Sequence, residues 1–311
     1  MISDYRKGIL MATTTAILWG ASGPFAKIIS ANGLDQVTVT VYRTCFIVTV
    51  LGLWLRRKRG GDAFLVPRNT LAAYGAMGFL SIVCTGMGYM MSCVYLTVPQ
   101  AVILHYTFPL LTMAGDCLIT KERPTLLQVG AGLLILVGLY VGFAMGQGLG
   151  EISLIGAAWG VISVLGFATQ NLLTRSIMKG GRNDPLMQLF YANLFGGILV
   201  ILGKSAFLGW ADLRLITPRI MLLIQYPTIV AGLLGFALLF TSMKYIPATL
   251  ASLLCSLEVV STLAAMPLLL GSLPTMQEVV GAMIILFAVA MSTIDTRKRS
   301  LPLPTKNAAK G

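Results

Sequence analysis

Ten runs of apolar residues dominate the sequence and limit what the chain can fold into. They cover residues 8–31, 37–55, 70–95, 99–120, 125–144, 153–174, 186–208, 219–242, 247–270 and 276–294. A helix that crosses a bilayer needs about 20 mostly apolar residues, and hydrophobic residues make up 56% of the chain while charged residues make up 11%. We therefore predict an all-α integral membrane protein with ten transmembrane helices.

The basic residues give this arrangement a direction. A net charge of +12 would suggest a nucleic-acid partner in a soluble protein, but here the cations stand at the ends of the apolar runs and do not form one face. Most of them fall on the side that holds both termini, whereas the opposite side receives Lys204, Arg214 and Arg219. Positive charge favours the cytoplasmic side, so we predict cytoplasmic termini, lipid as the surroundings and no nucleic-acid partner.

The second half of the chain repeats the first. Trp-Gly occurs at 19–20 and again at 159–160, residues 97–111 match 245–260, and residues 122–136 match 272–286. We predict a five-helix unit at 1–146, a second unit at 147–295 and a basic, disordered cytoplasmic tail at 296–311. Because five is an odd number, the second unit enters the membrane from the opposite side, and inverted repeats of this kind are typical of carriers that work by alternating access.

Polar and aromatic side chains at helical spacing mark a candidate binding site in the predicted spans. Lipid offers no hydrogen bonds, so such side chains are expected to face neighbouring helices or a solvated cavity. The candidate substrate-binding residues are Trp19, Tyr89, His105, Trp159, Gln170 and Glu258. Glu258 and His105 are also candidates for energy coupling, since both can exchange a proton. Plain packing or anchoring is the alternative for every one of these residues.

Two prolines and a glycine series predict local features of the spans. Pro24 and Pro109 lack an N–H, so the carbonyls of Gly20 and His105 lose their helical partners and become available to a ligand or water. Glycines at 138, 142 and 146 predict a close helix contact. Asp116 is expected near the cytoplasmic headgroups in a structural role.

Catalytic and metal-dependent chemistry finds little support. Five cysteines lie inside apolar runs without a CxxC pair: Cys45, Cys84, Cys93, Cys117 and Cys255. The chain has one histidine and no HExxH or GxSxG motif, so we predict no disulfide, catalytic residue, metal or cofactor. An intramembrane enzyme acting on lipids is the alternative from another functional class.

The two halves resemble the EamA family of the drug/metabolite transporter superfamily over about residues 8 to 294. The matching positions are Trp19-Gly20 with Lys27, Glu122 with Thr125, Gln128 and Gly130, Trp159-Gly160, and Tyr245 to Ala248 followed by Glu258-Val259. The second half departs from the pattern at Ser272, where the first has Glu122, and at Val259, where a proline is usual.

This resemblance implies a bacterial inner-membrane protein with both termini cytoplasmic and a cavity formed mainly by spans one, three, four, six, eight and nine. Within the family the chain most resembles exporters of aromatic amino acids. We expect a monomer whose small-molecule substrate, an aromatic or apolar amino acid, places its ring on Trp19, Trp159 or Tyr89. Its ammonium group is expected over an aromatic face or near Glu258. His105 and Gln170 are expected to hold the carboxylate. A multidrug or other metabolite carrier of the same fold is the nearest alternative.

Overall fold

A computed structural model of the protein describes residues 4–145, 150–179 and 184–294. It confirms ten apolar helices long enough to span a membrane. They are α1 (Asp4–Ala31), α2 (Gln36–Arg59), α3 (Arg68–Tyr95), α4 (Pro99–Thr120), α5 (Leu126–Phe143), α6 (Leu154–Lys179), α7 (Pro185–Phe207), α8 (Pro218–Ser242), α9 (Ala248–Leu270) and α10 (Met276–Thr293). Short 3₁₀ turns at Gly61–Phe64 and Ala211–Leu215 connect α2 to α3 and α7 to α8. The predicted tail at 296–311 lies outside the described residues.

Equivalent helices of the two halves begin with the same device. The Thr125 side chain accepts from the backbone N–H of Gln128, and the Gln128 side chain accepts from the backbone N–H of Thr125. Thr275 and Glu278 form the same reciprocal pair at the start of α10. This capping box satisfies two N–H groups that the first helical turn leaves free, and it explains physically why residues 122–136 and 272–286 match.

The antiparallel pair α2 and α7 is closed by matched charges at both ends. Asp35 caps α2 and Asp184 caps α7, each accepting a backbone N–H two residues later. Asp35 lies 3.4 Å from the ammonium group of Lys204 near the end of α7, and Asp184 pairs with Arg59 at the end of α2. Each pair joins an acidic helix start to a basic helix end, which also suits the two helix dipoles.

Helix packing shows the inverted relation between the halves. Helix α1 packs against α8 and α9, and its counterpart α6 packs against α3 and α4. Helix α2 packs against its own counterpart α7, and α5 against α10. Exchanging the halves leaves this set of contacts unchanged, as a two-fold relation between inverted five-helix repeats requires.

The predicted glycine contact lies between α5 and α10. A Cβ on Gly138 would stand 2.8 Å from the carbonyl oxygen of Gly281, so only glycine permits this approach. Gly142 faces the same helix with more room, since its Cβ would lie 3.7 Å from the Cα of Glu278. Gly146 lies outside the described residues.

Several spans are not continuous α-helices. The α-helical geometry of α1 is interrupted at Ala21 and that of α4 at Tyr106 and Thr107, close to Pro24 and Pro109 as expected. Helix α9 is interrupted at Ser256, where no proline follows, and this break was not anticipated. The sequence also gave no sign of two π-helical segments in equivalent helices, Phe79–Met87 in α3 and Tyr226–Gly235 in α8.

Buried polar contacts join four helices on the side where α1 begins. Arg175 donates to both carboxylate oxygens of Glu122, at 3.1 and 2.6 Å, and to the carbonyl of Met243 at 2.6 Å. Asp116 is fully buried instead of lying among headgroups, and one of its oxygens accepts from the backbone N–H and the hydroxyl of Thr249. Asp116 therefore fixes the start of α9 against α4, which is a structural role.

Candidate substrate site

The break in α4 places two neighbouring side chains toward different helices. The Nδ1 atom of His105 lies 3.0 Å from the hydroxyl oxygen of Ser163 in α6. That hydroxyl donates its hydrogen to the carbonyl of Thr85 in the π-helical segment of α3, at 3.1 Å. Since a hydroxyl has one hydrogen, His105 must be the donor at Nδ1, and a neutral imidazole then has Nε2 as an acceptor.

On the other side of the break, Tyr106 reaches α9. Its hydroxyl donates to a carboxylate oxygen of Glu258 at 3.2 Å. Glu258 stands ten residues after the start of α9 and is half-buried as a residue, so an ionisable side chain lies in the middle of a spanning helix. A carboxylate in this position is costly unless it faces protein or a solvated cavity.

Aromatic rings connect these two polar groups to the first helix. The ring of His105 lies 4.7 Å from Tyr89 and 5.9 Å from Phe167. Phe167 in turn lies 6.1 Å from Trp19, and Trp19 lies 4.9 Å from Phe236 in α8. We call Trp19, Tyr89, His105, Tyr106, Phe108, Phe167 and Phe236 the ring cluster; its members come from α1, α3, α4, α6 and α8.

The remaining candidates occupy different surroundings. Gln170 is fully buried, and neither its amide nitrogen nor its amide oxygen has a hydrogen-bond partner among the described residues. Buried amides are ordinarily paired, so Gln170 has unused capacity for a ligand or water. Trp159 is half-buried near the start of α6, and the ring cluster does not include it. Trp19 is largely buried and uses its indole N–H on the carbonyl of Ala231 at 3.0 Å.

Sequence reasoning missed four members of the ring cluster: Tyr106, Phe108, Phe167 and Phe236. Tyr106, which donates to Glu258, lies in the break of α4 that Pro109 predicted. Phe167 lies four residues after Ser163 and three before the candidate Gln170, so helical spacing puts it beside these polar residues of α6. The positions of Tyr106 and Phe167 therefore carried a signal in the sequence. In the described ranges no three His, Cys, Asp or Glu side chains come together as metal ligands do.

Comparison with known proteins identifies the family. A model of the EamA-like transporter family matches twice, over residues 6–143 and 154–294. The chain belongs to this family. Membership points to a transporter and away from an enzyme, and it matches the resemblance seen in the sequence.

Two further comparisons agree with this membership. The chain is 24% identical over 303 residues to YicL, an uncharacterized inner membrane transporter of Salmonella typhimurium, and the match covers 95% of this chain and 98% of the relative. A protein of known crystal structure superposes with a TM-score of 0.76 at 17% identity, covering 94% of this chain and 98% of the other. The second likeness shows that the two chains share a fold.

Proposed function

We propose that the protein is a secondary carrier of the bacterial inner membrane that exports aromatic or other apolar amino acids by alternating access. The observation that carries this proposal is the half-buried Glu258 carboxylate, held by Tyr106 beside a cluster of aromatic rings. The name of the Salmonella typhimurium relative supports the membrane assignment. The resemblance of the polar, aromatic centre to the aromatic amino acid exporter YddG supports the substrate class.

The groups around the ring cluster match the parts of a zwitterion with an aromatic side chain. Glu258 offers a negative charge to an ammonium group, and the rings offer stacking surfaces to the side chain. The unpaired amide of Gln170 can donate to a carboxylate, and neutral His105 offers an acceptor at Nε2. The site therefore has a complementary group for each end of an amino acid.

The architecture supports alternating access. The contacts of the two inverted halves are exchanged by a two-fold relation, and in secondary transporters such repeats can adopt two arrangements that open the site to opposite faces. The predominance of cations on the side where α1 begins supports cytoplasmic termini.

Counterflow into proteoliposomes tests the proposal. Vesicles carrying the wild-type protein are loaded with unlabelled Trp and diluted into labelled Trp, Phe, Ala or a lipophilic cation. We expect uptake of Trp and Phe, and a decrease of at least about tenfold for Glu258→Gln because a charge-assisted contact is lost. Glu151→Gln makes the same chemical change on an exposed loop and should leave uptake unchanged.

The outcomes separate this proposal from its rivals. If the wild type carries neither Trp nor Phe under any gradient, the aromatic substrate class is wrong. Uptake of the lipophilic cation in their place would identify a multidrug carrier of the same fold. Turnover of a lipid substrate that requires Glu258 and His105 would instead identify an intramembrane enzyme.

A further inference from the structure

Arg43 lies inside a spanning helix without any role in the site described above. It stands seven residues after Gln36, the first residue of α2, and is half-buried. Insertion scales assign about 2.5–3.5 kcal/mol to an arginine at the centre of a spanning helix. A side chain of this kind needs a partner, a route to the headgroups or a function.

The guanidinium of Arg43 has no hydrogen bond or ion pair with the residues that the structure describes. Two cations that are buried in the described part of the chain, Arg175 and Lys204, differ in this respect. Arg175 uses three N–H groups on Glu122 and Met243, and Lys204 pairs with Asp35 and Asp212. Arg43 therefore keeps the donors of its planar fork available.

The side chain of Arg43 also does not turn toward the near end of its own helix. A Cβ on Gly232 would lie 2.8 Å from Cδ and 3.1 Å from Cγ of Arg43. Gly232 stands two residues past the midpoint of the 25-residue α8. The aliphatic stem of Arg43 thus lies against the central part of α8, so the guanidinium does not reach headgroups in the way a snorkelling arginine does.

The surface of α8 beside Arg43 contains an unpaired polar group. Thr228 is fully buried, and its hydroxyl has no hydrogen-bond partner in the described part of the chain. It precedes Gly232 by four residues, about one turn, and so lies on the same side of the helix. Both residues belong to the π-helical segment of α8, a geometry frequent at functional sites.

The arginine is not a requirement of the repeated framework. Arg43 follows the capping residue Asp35 by eight residues, and the residue eight positions after the equivalent cap Asp184 is Ala192. Ala192 is buried and packs its carbonyl beside Gly78 of α3. The same helix pairing is therefore built without a cation in the other half, which assigns Arg43 to something that one half alone performs.

We propose that Arg43, assisted by the hydroxyl of Thr228, is a carboxylate-binding site between α2 and α8. A planar guanidinium pairs with a carboxylate through two parallel hydrogen bonds, and a hydroxyl adds a third donor. The site deepens the proposed function and rests on it: the ligand is the carboxylate of the transported molecule. Ala231, next to Gly232, accepts from the indole of Trp19, so the part of α8 that the Arg43 stem contacts is also bonded to a member of the ring cluster.

Ligand binding to the purified full-length protein tests this assignment without requiring transport. The probes are Phe, 3-phenylpropionate, which keeps the carboxylate and lacks the amine, and phenethylamine, which keeps the amine and lacks the carboxylate. Propionate and succinate serve as carboxylates without a ring. Affinities are taken from the ligand-dependent increase in melting temperature.

We expect Arg43→Gln to weaken the binding of Phe and of 3-phenylpropionate by roughly 10- to 100-fold, because a charge-assisted pair is lost. The binding of phenethylamine should stay unchanged. Arg43→Lys keeps the positive charge but lacks the planar guanidinium, so its affinity for the carboxylate ligands should lie between those of wild type and Arg43→Gln. Arg56→Gln makes the same change at the exposed end of the same helix and should bind as the wild type does. Unchanged phenethylamine binding also shows that the Arg43→Gln protein is folded.

A second variant covers the case in which Arg43→Gln does not fold. Gly232→Ala keeps the arginine but places a methyl group 2.8 Å from its Cδ and 2.9 Å from the carbonyl oxygen of Pro227, so it displaces the stem together with the backbone of α8 and should weaken binding of the carboxylate ligands more than binding of phenethylamine. Equal carboxylate affinities in wild type and both variants would overturn the assignment, as would equal losses for phenethylamine or a wild type that binds no carboxylate. A wild type that binds succinate or propionate but no aromatic ligand would reject the proposed substrate class and leave the Arg43 site standing.

Discussion

The ion pair between Arg175 and Glu122 provides the sharpest test of the structure. Arg175 is 3% exposed and Glu122 is 10% exposed, and two hydrogen bonds join the guanidinium to the carboxylate. The pair fastens the connection between α4 and α5 to the end of α6, and the bond to the carbonyl of Met243 adds the end of α8. Replacing Glu122 alone leaves Arg175 as an uncompensated charge in this buried place.

The expected magnitudes follow from that burial. Breaking a buried pair by removing one partner costs about 3–5 kcal/mol, whereas replacing both partners by apolar groups of similar volume is often neutral. We therefore expect Glu122→Met and Arg175→Met each to lower the free energy of unfolding by about 3 kcal/mol or more. The double variant should lower it by less than either single variant does. Lys179 also lies 3.2 Å from Glu122 but is 45% exposed, so Lys179→Met should lose at most about 1 kcal/mol.

Reversible unfolding in mixed micelles measures the four corners of this double-mutant cycle. The free energies of unfolding of wild type, both single variants and the double variant give the coupling energy. A coupling energy of about 2 kcal/mol or more is expected. Additive losses, with a coupling below about 0.5 kcal/mol, would mean that the two side chains do not share a buried contact and would refute the geometry of this face.

Three further predictions concern stability. Burial raises the pKa of the Asp212 carboxyl, but hydrogen bonds from Thr38 and Lys204 lower it by more, so this pKa lies below its ordinary value. The ionised carboxylate therefore stabilises the folded protein above about pH 4 and loses this effect at lower pH, and the melting temperature of wild type should fall more than that of Asp212→Asn between about pH 6 and pH 3. Gly138→Ala should destabilise the chain by roughly 1–3 kcal/mol in micelle unfolding through contact with Gly281, whereas Gly142→Ala, which has 3.7 Å of room, should not; equal losses would contradict the packing of α5 on α10. Asp116→Ala leaves the buried N–H of Thr249 without its acceptor and should lose about 1–3 kcal/mol, with Asp116→Asn intermediate; an unchanged melting temperature would show that the start of α9 is held otherwise.

Much of the fold could be predicted because each spanning helix corresponds to a separate apolar run in the sequence. The ten apolar runs predicted the ten helices, and an odd number of spans per copy predicted the inversion. The matched segments at 122–136 and 272–286 turned out to hold the same capping box. Such features depend on residues near one another in the chain, which is why a single sequence suffices to find them.

Features that depend on packing between helices distant in sequence could not be predicted from the sequence. The π-helical segments of α3 and α8 have no local composition that distinguishes them from α-helix. Arg43 comes close to Gly232 within the α8 segment, and Ala192 comes close to Gly78, the residue before the α3 segment. The break in α9 likewise has no proline to announce it, and only comparison with α4 relates Ser256 to Tyr106.

The candidate site shows the same limit. Glu258 and His105 stood out as ionisable side chains in apolar runs, but nothing in the sequence pairs Glu258 with Tyr106 or His105 with Ser163, since these contacts join residues 152 and 58 positions apart. Trp159 repeats Trp19 in sequence, yet it stands five residues into α6 while Trp19 stands fifteen into α1. The two tryptophans therefore have different surroundings, and only Trp19 joins the ring cluster.

The division between shared and unshared positions indicates how one duplicated unit can acquire a specific substrate. Positions common to both halves build the frame: Asp35 and Asp184 cap equivalent helices, and Thr125 and Thr275 begin others. The ionisable groups proposed here for the ligand are not shared. The α-helical segment that ends at His105 in α4 corresponds to the one that ends at Cys255 in α9, and Arg43 corresponds to Ala192. A strictly symmetric carrier would present the same groups to the ligand from both halves, whereas a zwitterion needs opposite charges at its two ends. In the proposed carrier, divergence at these positions leaves the capping frame common to both halves while one half supplies Arg43 and the other supplies Glu258.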